Sequence, residues 1–411
     1  RRDRAGGPAP PGAMALTPTP SVGDESAWVA HHLEGLWDGP LDASQTIRGG
    51  QSAADAALAG FDVTGYAARR NEVWPPSRRG ASGLSPWIRH GLLSLPGVWE
   101  AVADGPRKDV RKFRDELLWQ EYARHRYARL GAEDPIASVG GRRDVEPWDR
   151  SMACVEHAVD ELQRTGWLTN QTRMWLASHW TVRHRGHLGI GEDEMYRRLL
   201  DGSRAANRLG WGWVSGAATG KAYGFSRWQV EKRAPGLCEE CPHRLACPID
   251  GWPPTEAERA PRPPLVARDP DPAATAGPMA AATGPEPEAV WLTAESLGDA
   301  DPALAAHPDL PAVFVFDAPL LARLSLAPSR LVFLAECLAD LGTRRPVEVR
   351  VGDPVHELSG RRLATTFAPV PGWRRRAGAL APVAVHPWLW LVRPGPGSVA
   401  SFSAWRKAVG A

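Results

Sequence analysis

Cys238-Glu-Glu-Cys241-Pro-His-Arg-Leu-Ala-Cys247 places three thiols in a ten-residue stretch. A C-x2-C turn lets two sulfurs face one metal centre, and a third cysteine shortly after can close around it. Zinc, with His243 or a distant cysteine as fourth ligand, an iron–sulfur cluster, and clustering without a metal all fit that spacing. Cys154, on an expected helix 84 residues upstream, is the candidate fourth thiolate, although a lone helical cysteine is more often buried filler. Cys337 falls at a core-facing spacing and reads as packing.

Other pairs carry different chemistry. Glu116 and Trp119 are three residues apart, so a carboxylate and a large ring share one helix face. Asn170 and Arg173 repeat that spacing, and Trp211 follows Asn207 by about one helical turn. Nineteen Trp exceed the eight Phe and five Tyr together, and each buried indole N–H needs a partner that Phe or Leu would not. Stacking on a ligand or redox chemistry therefore stands beside a merely Trp-rich core. Arg107, Lys108, Arg111, Lys112 and Arg114 precede Glu116, and Arg124, His125 and Arg126 follow it; such a run is a solvated face, or a phosphate rail if a pocket lies beside it.

The elements that must hold these residues fall into two parts. A chain of 411 residues with 43% hydrophobic and 23% charged residues is long enough for two cored domains and is not wholly disordered. Its net charge of +2 excludes a blanket polycation. Residues 1–24, rich in Pro, Ala and Gly at the start, read as a disordered tail without the apolar segment of a signal peptide. Residues 25–252 read as all-α, with Val110, Phe113, Leu117, Leu118 and Tyr122 near a 3.6-residue period. Residues 253–287, with ten Pro among 35 residues, read as a linker. Residues 288–411 read as a small parallel α/β domain: strands at Ala289–Leu292, Ala312–Phe316 and Val347–Val351 alternate with a helix over Pro328–Leu341. No run reaches the length of a membrane span, and five unevenly placed cysteines point to a reducing cytoplasm instead of a disulfide framework.

Tyr66-Ala-Ala-Arg-Arg-Asn71, Ala81-Ser-Gly-Leu-Ser-Pro-Trp-Ile88, Asp115-Glu-Leu-Leu-Trp-Gln-Glu-Tyr122, Thr165-Gly-Trp-Leu-Thr-Asn-Gln-Thr-Arg-Met174 and Asp201-Gly-Ser-Arg-Ala-Ala-Asn-Arg-Leu-Gly-Trp-Gly-Trp213 occur in one order that resembles the flavin-binding half of the photolyase/cryptochrome family. The resemblance implies FAD held by Tyr66, Ser82, Ser85 and the backbone around Leu84 at its phosphates, and by Asn170, Arg173, Asp201, Ser203, Asn207 and Trp211 around its ring. Ala81 and Ser203 depart from the family's usual Thr and Asp. It implies a lesion pocket made by Glu116, Trp119, Trp213, Phe113 and Asn170. Trp211 is similar to the flavin-proximal member of the family's electron-transfer chain, but the next member would fall near Leu188, so another route, through Trp175 or Trp180, is required. Cys154, Cys238, Cys241 and Cys247 sit where a bacterial branch binds a [4Fe-4S] cluster, with zinc as the alternative.

The α/β domain, through Val290-Trp-Leu292, Ala312-Val-Phe-Val-Phe-Asp317 and Phe402-Ser-Ala-Trp405, is similar to the family's Rossmann-like antenna domain, which normally comes first. The resemblance thus implies a circular permutation, with the antenna-like domain docked by an apolar face; it defines no antenna chromophore. The expected activity is light-driven repair of UV-damaged DNA by a monomeric lyase, with Asn170 in place of a titratable His favouring cyclobutane over (6-4) dimers. A cryptochrome-like photoreceptor that binds FAD without repair is the alternative.

Overall fold

Residues 17–146, 148–282 and 284–411 are described by the computed structural model. The helical half begins with α1 (Glu25–His32), which buries Trp28 and Val29, and continues through the short α2 (Ser85–Arg89). The long α3 (Arg107–Leu130) buries Val110, Phe113, Leu117, Leu118 and Tyr122 and ends at Gly131. Asp109 in its first turn accepts the N–H groups of Gly65 and Ala67 at 2.9 and 2.8 Å, which fixes the single turn Tyr66–Arg69 against α3.

Helix α4 (Ala153–Thr165) stops where Gly166 takes a left-handed φ of 66°, a conformation that glycine adopts without a side-chain clash. Helix α5 (Asn170–Ser178) starts on Thr169, whose hydroxyl accepts the Thr172 N–H. It widens into a π-turn over His179–Arg183. After it come α6 (Leu188–Arg198) and α7 (Arg204–Val214), the latter capped by the Ser203 hydroxyl.

The second half holds five parallel strands: β1 (Ala289–Leu292), β2 (Ala312–Asp317), β3 (Val347–Gly352), β4 (Leu363–Thr366) and β5 (Ala384–His386). Their order is β3-β2-β1-β4-β5, with Val290 level with Ala312 and Ala364 level with Ala384. The strands β1 and β4 are buried throughout, as expected for a sheet covered on both faces. Helix α8 (Pro328–Gly342) is apolar nearly all round, because it lies between the sheet and the helical half. Helices α9 (Pro371–Leu380) and α10 (Phe402–Val409) complete the chain. No helix among the described residues is long and apolar enough to cross a membrane.

The halves share one core. Trp28, Leu84, Trp87 and Phe113 belong to the same buried cluster as Val290, Phe316, Leu331 and Phe333. Two glycines permit the closest approach: a Cβ on Gly91 would lie 2.2 Å from the Glu295 carbonyl oxygen, and one on Gly298 would lie 2.2 Å from that of Gly91. Arg330 on α8 donates to the carbonyls of Tyr196 and Gly202 across this junction.

Two segments expected to be loose are anchored. Within 1–24, residues 1–16 lie outside the described residues, but Thr17 forms an antiparallel bridge with Val349 and the Thr19 hydroxyl donates to the Val347 carbonyl at 2.6 Å. This uses the unpaired side of the edge strand β3. Within 253–287, the turns Pro264–Ala267 and Pro272–Ala276 bury Val266 and Ala276. Asp269 pairs with Arg129 at 3.2 Å, and the Trp390 indole donates to the Ala276 carbonyl. A few side chains thus hold a segment whose composition suggests no burial.

Candidate functional site

A cavity of about 890 Å³ lies between the helical half and the C-terminal ends of the strands, the edge at which open α/β sheets place ligands. Tyr66, Ser82, Ser85, Glu116, Trp119, Asn170, Arg173, Asp201, Ser203, Asn207, Trp211 and Trp213 all line it. Five separate sequence blocks therefore converge on one space.

Leu84 and Phe113 do not belong to this wall. The Leu84 side chain is fully buried in the shared core, and its N–H faces the Ser82 hydroxyl at 3.4 Å. Phe113 is 2% exposed and packs edge-on behind Tyr66 at 5.0 Å, so it supports the wall from inside. His243, the proposed histidine partner of a zinc site, turns its Nε2 to the Ser151 hydroxyl at 3.0 Å.

The polar groups at the cavity's helical end are held from behind. Arg173 donates to the Leu168 carbonyl at 3.0 Å and to Asp201 Oδ2 at 2.7 Å. Ser85 accepts the Trp167 indole N–H at 2.9 Å. Asp201 Oδ1, Asn207 Nδ2 and Trp211 Nε1 are buried without a hydrogen-bond partner. Orphaned buried polar atoms are costly, about 1–3 kcal/mol each, and three in one wall suit a cavity that receives a polar, planar group. The chemistry of the set matches a flavin: hydroxyls for phosphates, a cation and amide for the ring edge, and indoles for its flat body. Burial chiefly, with the Glu116 charge second, raises the Tyr66 phenol above its usual value, so it stays a neutral donor.

At the mouth, Glu116 meets Lys112 at 2.8 Å and Arg70 at 3.4 Å. Trp119 contacts Tyr122 edge-on at 5.9 Å and faces Phe402 of α10 at 6.4 Å. Trp213, 42% exposed, leans on Tyr223. A carboxylate between two partly open indoles can clasp a flat polar ring. Asn170 is exposed at the same opening.

Sequence reasoning missed the opposite wall. Asp317 ends β2 and pairs with Arg376, Trp373 and Trp388 stand near it with unpartnered indole N–H groups, and the Arg124 guanidinium covers Trp388 at 5.5 Å. These residues lie far apart in the chain, so no local spacing announces them. The end of the apolar run of β2 at Phe316-Asp317 is the linear signal that pointed there.

Cys154 sits in the first turn of α4, and the Ala153 N–H points to Cys241 Sγ at 3.5 Å. Burial pushes the Cys154 thiol up to about 12, with the charges of Cys238, Cys247 and Cys241 adding to it. All four cysteines therefore gather. Among the described residues, however, no group of three or more His, Cys, Asp or Glu side chains closes around a single ion position.

Comparison with known proteins matches residues 113–233 to the FAD binding domain of DNA photolyase. The chain is 29% identical over 204 residues to a deoxyribodipyrimidine photo-lyase of Synechococcus, covering 43% of this chain and 40% of that protein. It is 33% identical over 187 residues to the one of Thermus thermophilus, covering 41% and 43%. A cryptochrome DASH of Gloeobacter violaceus is 27% identical over 173 residues, covering 38% and 34%. The chain spans about two fifths of the length of the first two of these relatives. A segment inside the half that builds this cavity is thus similar to the FAD-binding domain of DNA photolyase, and the chain is similar to members of the photolyase/cryptochrome family.

Proposed function

We propose that this chain is a DNA photolyase: a carbon–carbon lyase that binds FAD and, under light, splits UV-induced pyrimidine dimers in DNA. The observation that carries this reading is the joint placement of Glu116, Trp119 and Trp213 at the mouth of the cavity whose inner wall leaves Asp201, Asn207 and Trp211 unpartnered. When bound, FAD supplies a photoexcitable one-electron donor. The chain's own residues bind and orient. Tyr66, Ser82 and Ser85 offer hydroxyls to the phosphates, the Arg173–Asp201 pair and the Asn207 amide hold the ring's polar edge, and Trp211 walls its body. A flipped lesion stacks on Trp119 and Trp213, which offsets the unpairing cost at about 1–3 kcal/mol per stacked base. Glu116 meets the lesion's polar edge, and Arg70 and Lys112 hold that carboxylate in place. Asn170 has no titratable proton to give, which favours cyclobutane dimers as substrate.

Affinity for dimer-containing against undamaged DNA, measured in the dark at fixed salt, tests this reading. A clear preference for the damaged strand is expected, and equal affinity would overturn it. Equal affinity would leave the second reading, a blue-light photoreceptor without repair. One observation favours that one: the Ser203 hydroxyl is engaged as a helix cap in place of a carboxylate at the ring.

We read Cys154, Cys238, Cys241 and Cys247 as the ligands of a [4Fe-4S] cluster, with zinc as the alternative. The order of the two halves reads as a circular permutation of the family's layout, with the five-stranded domain, ordered as in a doubly wound sheet, standing for its Rossmann-like antenna domain. All five cysteines are free, which accords with a reducing cytoplasm.

A further inference from the structure

We propose that a small pocket behind Trp119 and Trp213 receives the base next to the lesion on the same strand, with Arg262 at its rim holding the phosphate that links the two nucleotides. The inference rests on the photolyase reading and deepens it, since it names how much of the damaged strand the chain grips.

The pocket measures about 220 Å³, below the roughly 300–1,000 Å³ of sites for drug-sized ligands and far below the main cavity. Trp119 and Trp213 line both spaces, so the two indoles stand between them. The other ring walls are Tyr122 and Phe402. Tyr122 meets Trp119 edge-on at 5.9 Å, and Phe402 lies 6.4 Å from Trp119 and 5.9 Å from Tyr122. Four rings around a space of this size suit one flat aromatic guest. Packing alone does not explain the opening, because protein interiors leave few voids larger than a water.

The pocket is preformed. Its outer walls come from two segments distant in sequence from α3 and α7, and backbone hydrogen bonds pin both. The Ala260 N–H donates to the Ala217 carbonyl at 2.8 Å, and the Val399 N–H donates to the Val266 carbonyl at 2.9 Å. Pro261 and Pro263 stiffen the span between those bonds. A guest therefore meets walls that need little ordering. Both segments lie outside the matched residues 113–233, so the match to the FAD-binding domain does not account for this subsite.

The floor offers ring faces and few free polar groups. The Tyr122 hydroxyl donates to the Val399 carbonyl at 3.1 Å, and Arg126 donates to that carbonyl at 3.0 Å and to Asp134 at 2.9 Å. Recognition then comes from stacking, which every base satisfies. Arg262 and Ser403 are exposed where they line the pocket, and a cation with a hydroxyl suits a backbone phosphate. Because the pocket lies on one side of the indole pair, one flank of the lesion reaches it and the other does not.

The test is dark binding of the FAD-loaded protein to oligonucleotides carrying one cyclobutane thymine dimer, in which the nucleotide on the 5′ or the 3′ side is intact or lacks its base. Loss of the base on one side should lower affinity about 5- to 150-fold, the worth of one stacked ring, and loss on the other side should not. The identity of an intact flanking base should matter little. Phe402→Leu keeps apolar bulk against Trp405 but removes the ring. It should weaken binding of the intact strand and erase most of the difference between intact and base-free flanks, a coupling that a merely structural role would not produce. Arg262→Gln should reduce the slope of log affinity against log salt by roughly 0.7 to 0.9, the share of one phosphate, and an unchanged slope would strike the phosphate contact. Equal affinity for intact and base-free flanks on both sides, or the same one-sided loss in Phe402→Leu as in the wild type, would overturn the subsite, while a retained preference for dimer over undamaged DNA leaves the proposed function standing. An absent dimer preference would instead remove the proposed function and the subsite with it.

Discussion

Glu116 and Trp119 illustrate what single residues contribute at the cavity mouth. Trp119→Ala should leave flavin content near normal and lower the affinity for dimer-containing DNA about 5- to 150-fold, the loss of one stacked ring. Glu116→Gln should cost more in repair yield per bound lesion than in affinity, because an amide cannot supply the same charge-assisted contact. Gel-shift titration and repair of a defined oligonucleotide separate the two effects, and equal losses in both would contradict the assignment. His125 carries a pH prediction. Its Nε2 donates to the Val392 carbonyl at 2.7 Å while its Nδ1 accepts the Trp405 indole N–H at 2.8 Å, so only the neutral ring fits. Burial, aided by Arg129 and Arg124, pushes its pKa down from 6.5 to about 4. The folded state therefore binds fewer protons than the unfolded chain in that window, and the stability present above pH 6.5 is lost as pH falls towards 4. His90 and His179, both pushed down to about 3 by burial first of all, extend the same acid limb. His125→Gln should shrink the drop in melting temperature between pH 7 and pH 5 without abolishing it, and an unchanged drop would show that the ring is not the titrating group. The spacing of Glu116 and Trp119 was legible because both lie on one helix. Phe113 lies behind the wall and not on it, because a motif gives the residue but not which side of the backbone its side chain takes.

Helices and strands differed in how openly the sequence announces them. The period of Val110, Phe113, Leu117 and Tyr122 describes α3, and the unbroken apolar runs of β1 and β2 describe central strands. Strands β4 and β5 went unread. Leu-Ala-Thr-Thr and Ala-Val-His are too short and too mixed to signal a strand, and they become strands because β1 offers its free edge to β4, which then carries β5. The wall built by Asp317, Trp373 and Arg376 inherits that difficulty, since it exists only once the strands are in order. The gathered thiols make a prediction for α4. Cys154→Ala should lose iron and lower stability, because one ligand in four is gone and metal binding is coupled to folding, whereas Cys337→Ala should retain iron. Cys337 is a buried thiol on α8 that accepts the Gly50 N–H at 3.2 Å, far from the other four in chain and role. Metal analysis decides: zinc without iron would keep the site and discard the cluster, and metal content unaffected by Cys154→Ala would discard both.

Across the molecule, the shared core makes two halves act as one body. Cleavage in the exposed stretch 279–282 should leave both fragments together through gel filtration under native conditions, because Arg330, the Gly91–Gly298 contact and the Trp28–Phe316 packing remain. Arg330→Ala should weaken that union by about 3 kcal/mol, the scale of hydrogen bonds from a charged group lost from two buried carbonyls; denaturant unfolding with the fragments and with the intact chain checks it, and separation of the cleaved wild type would show that the interface is minor. The same helix α8 that joins the halves also sets a delay during synthesis. Phe113 and Leu117 leave the ribosome some two hundred residues before Leu331 and Phe333, which at typical elongation rates is on the order of 10–40 s. Through that interval the nascent helical half exposes an oily face whose cover has yet to be translated. A holding chaperone, or a slow stretch of codons placed after the sheet and not before it, would then decide how much of the chain reaches its native form in a living cell.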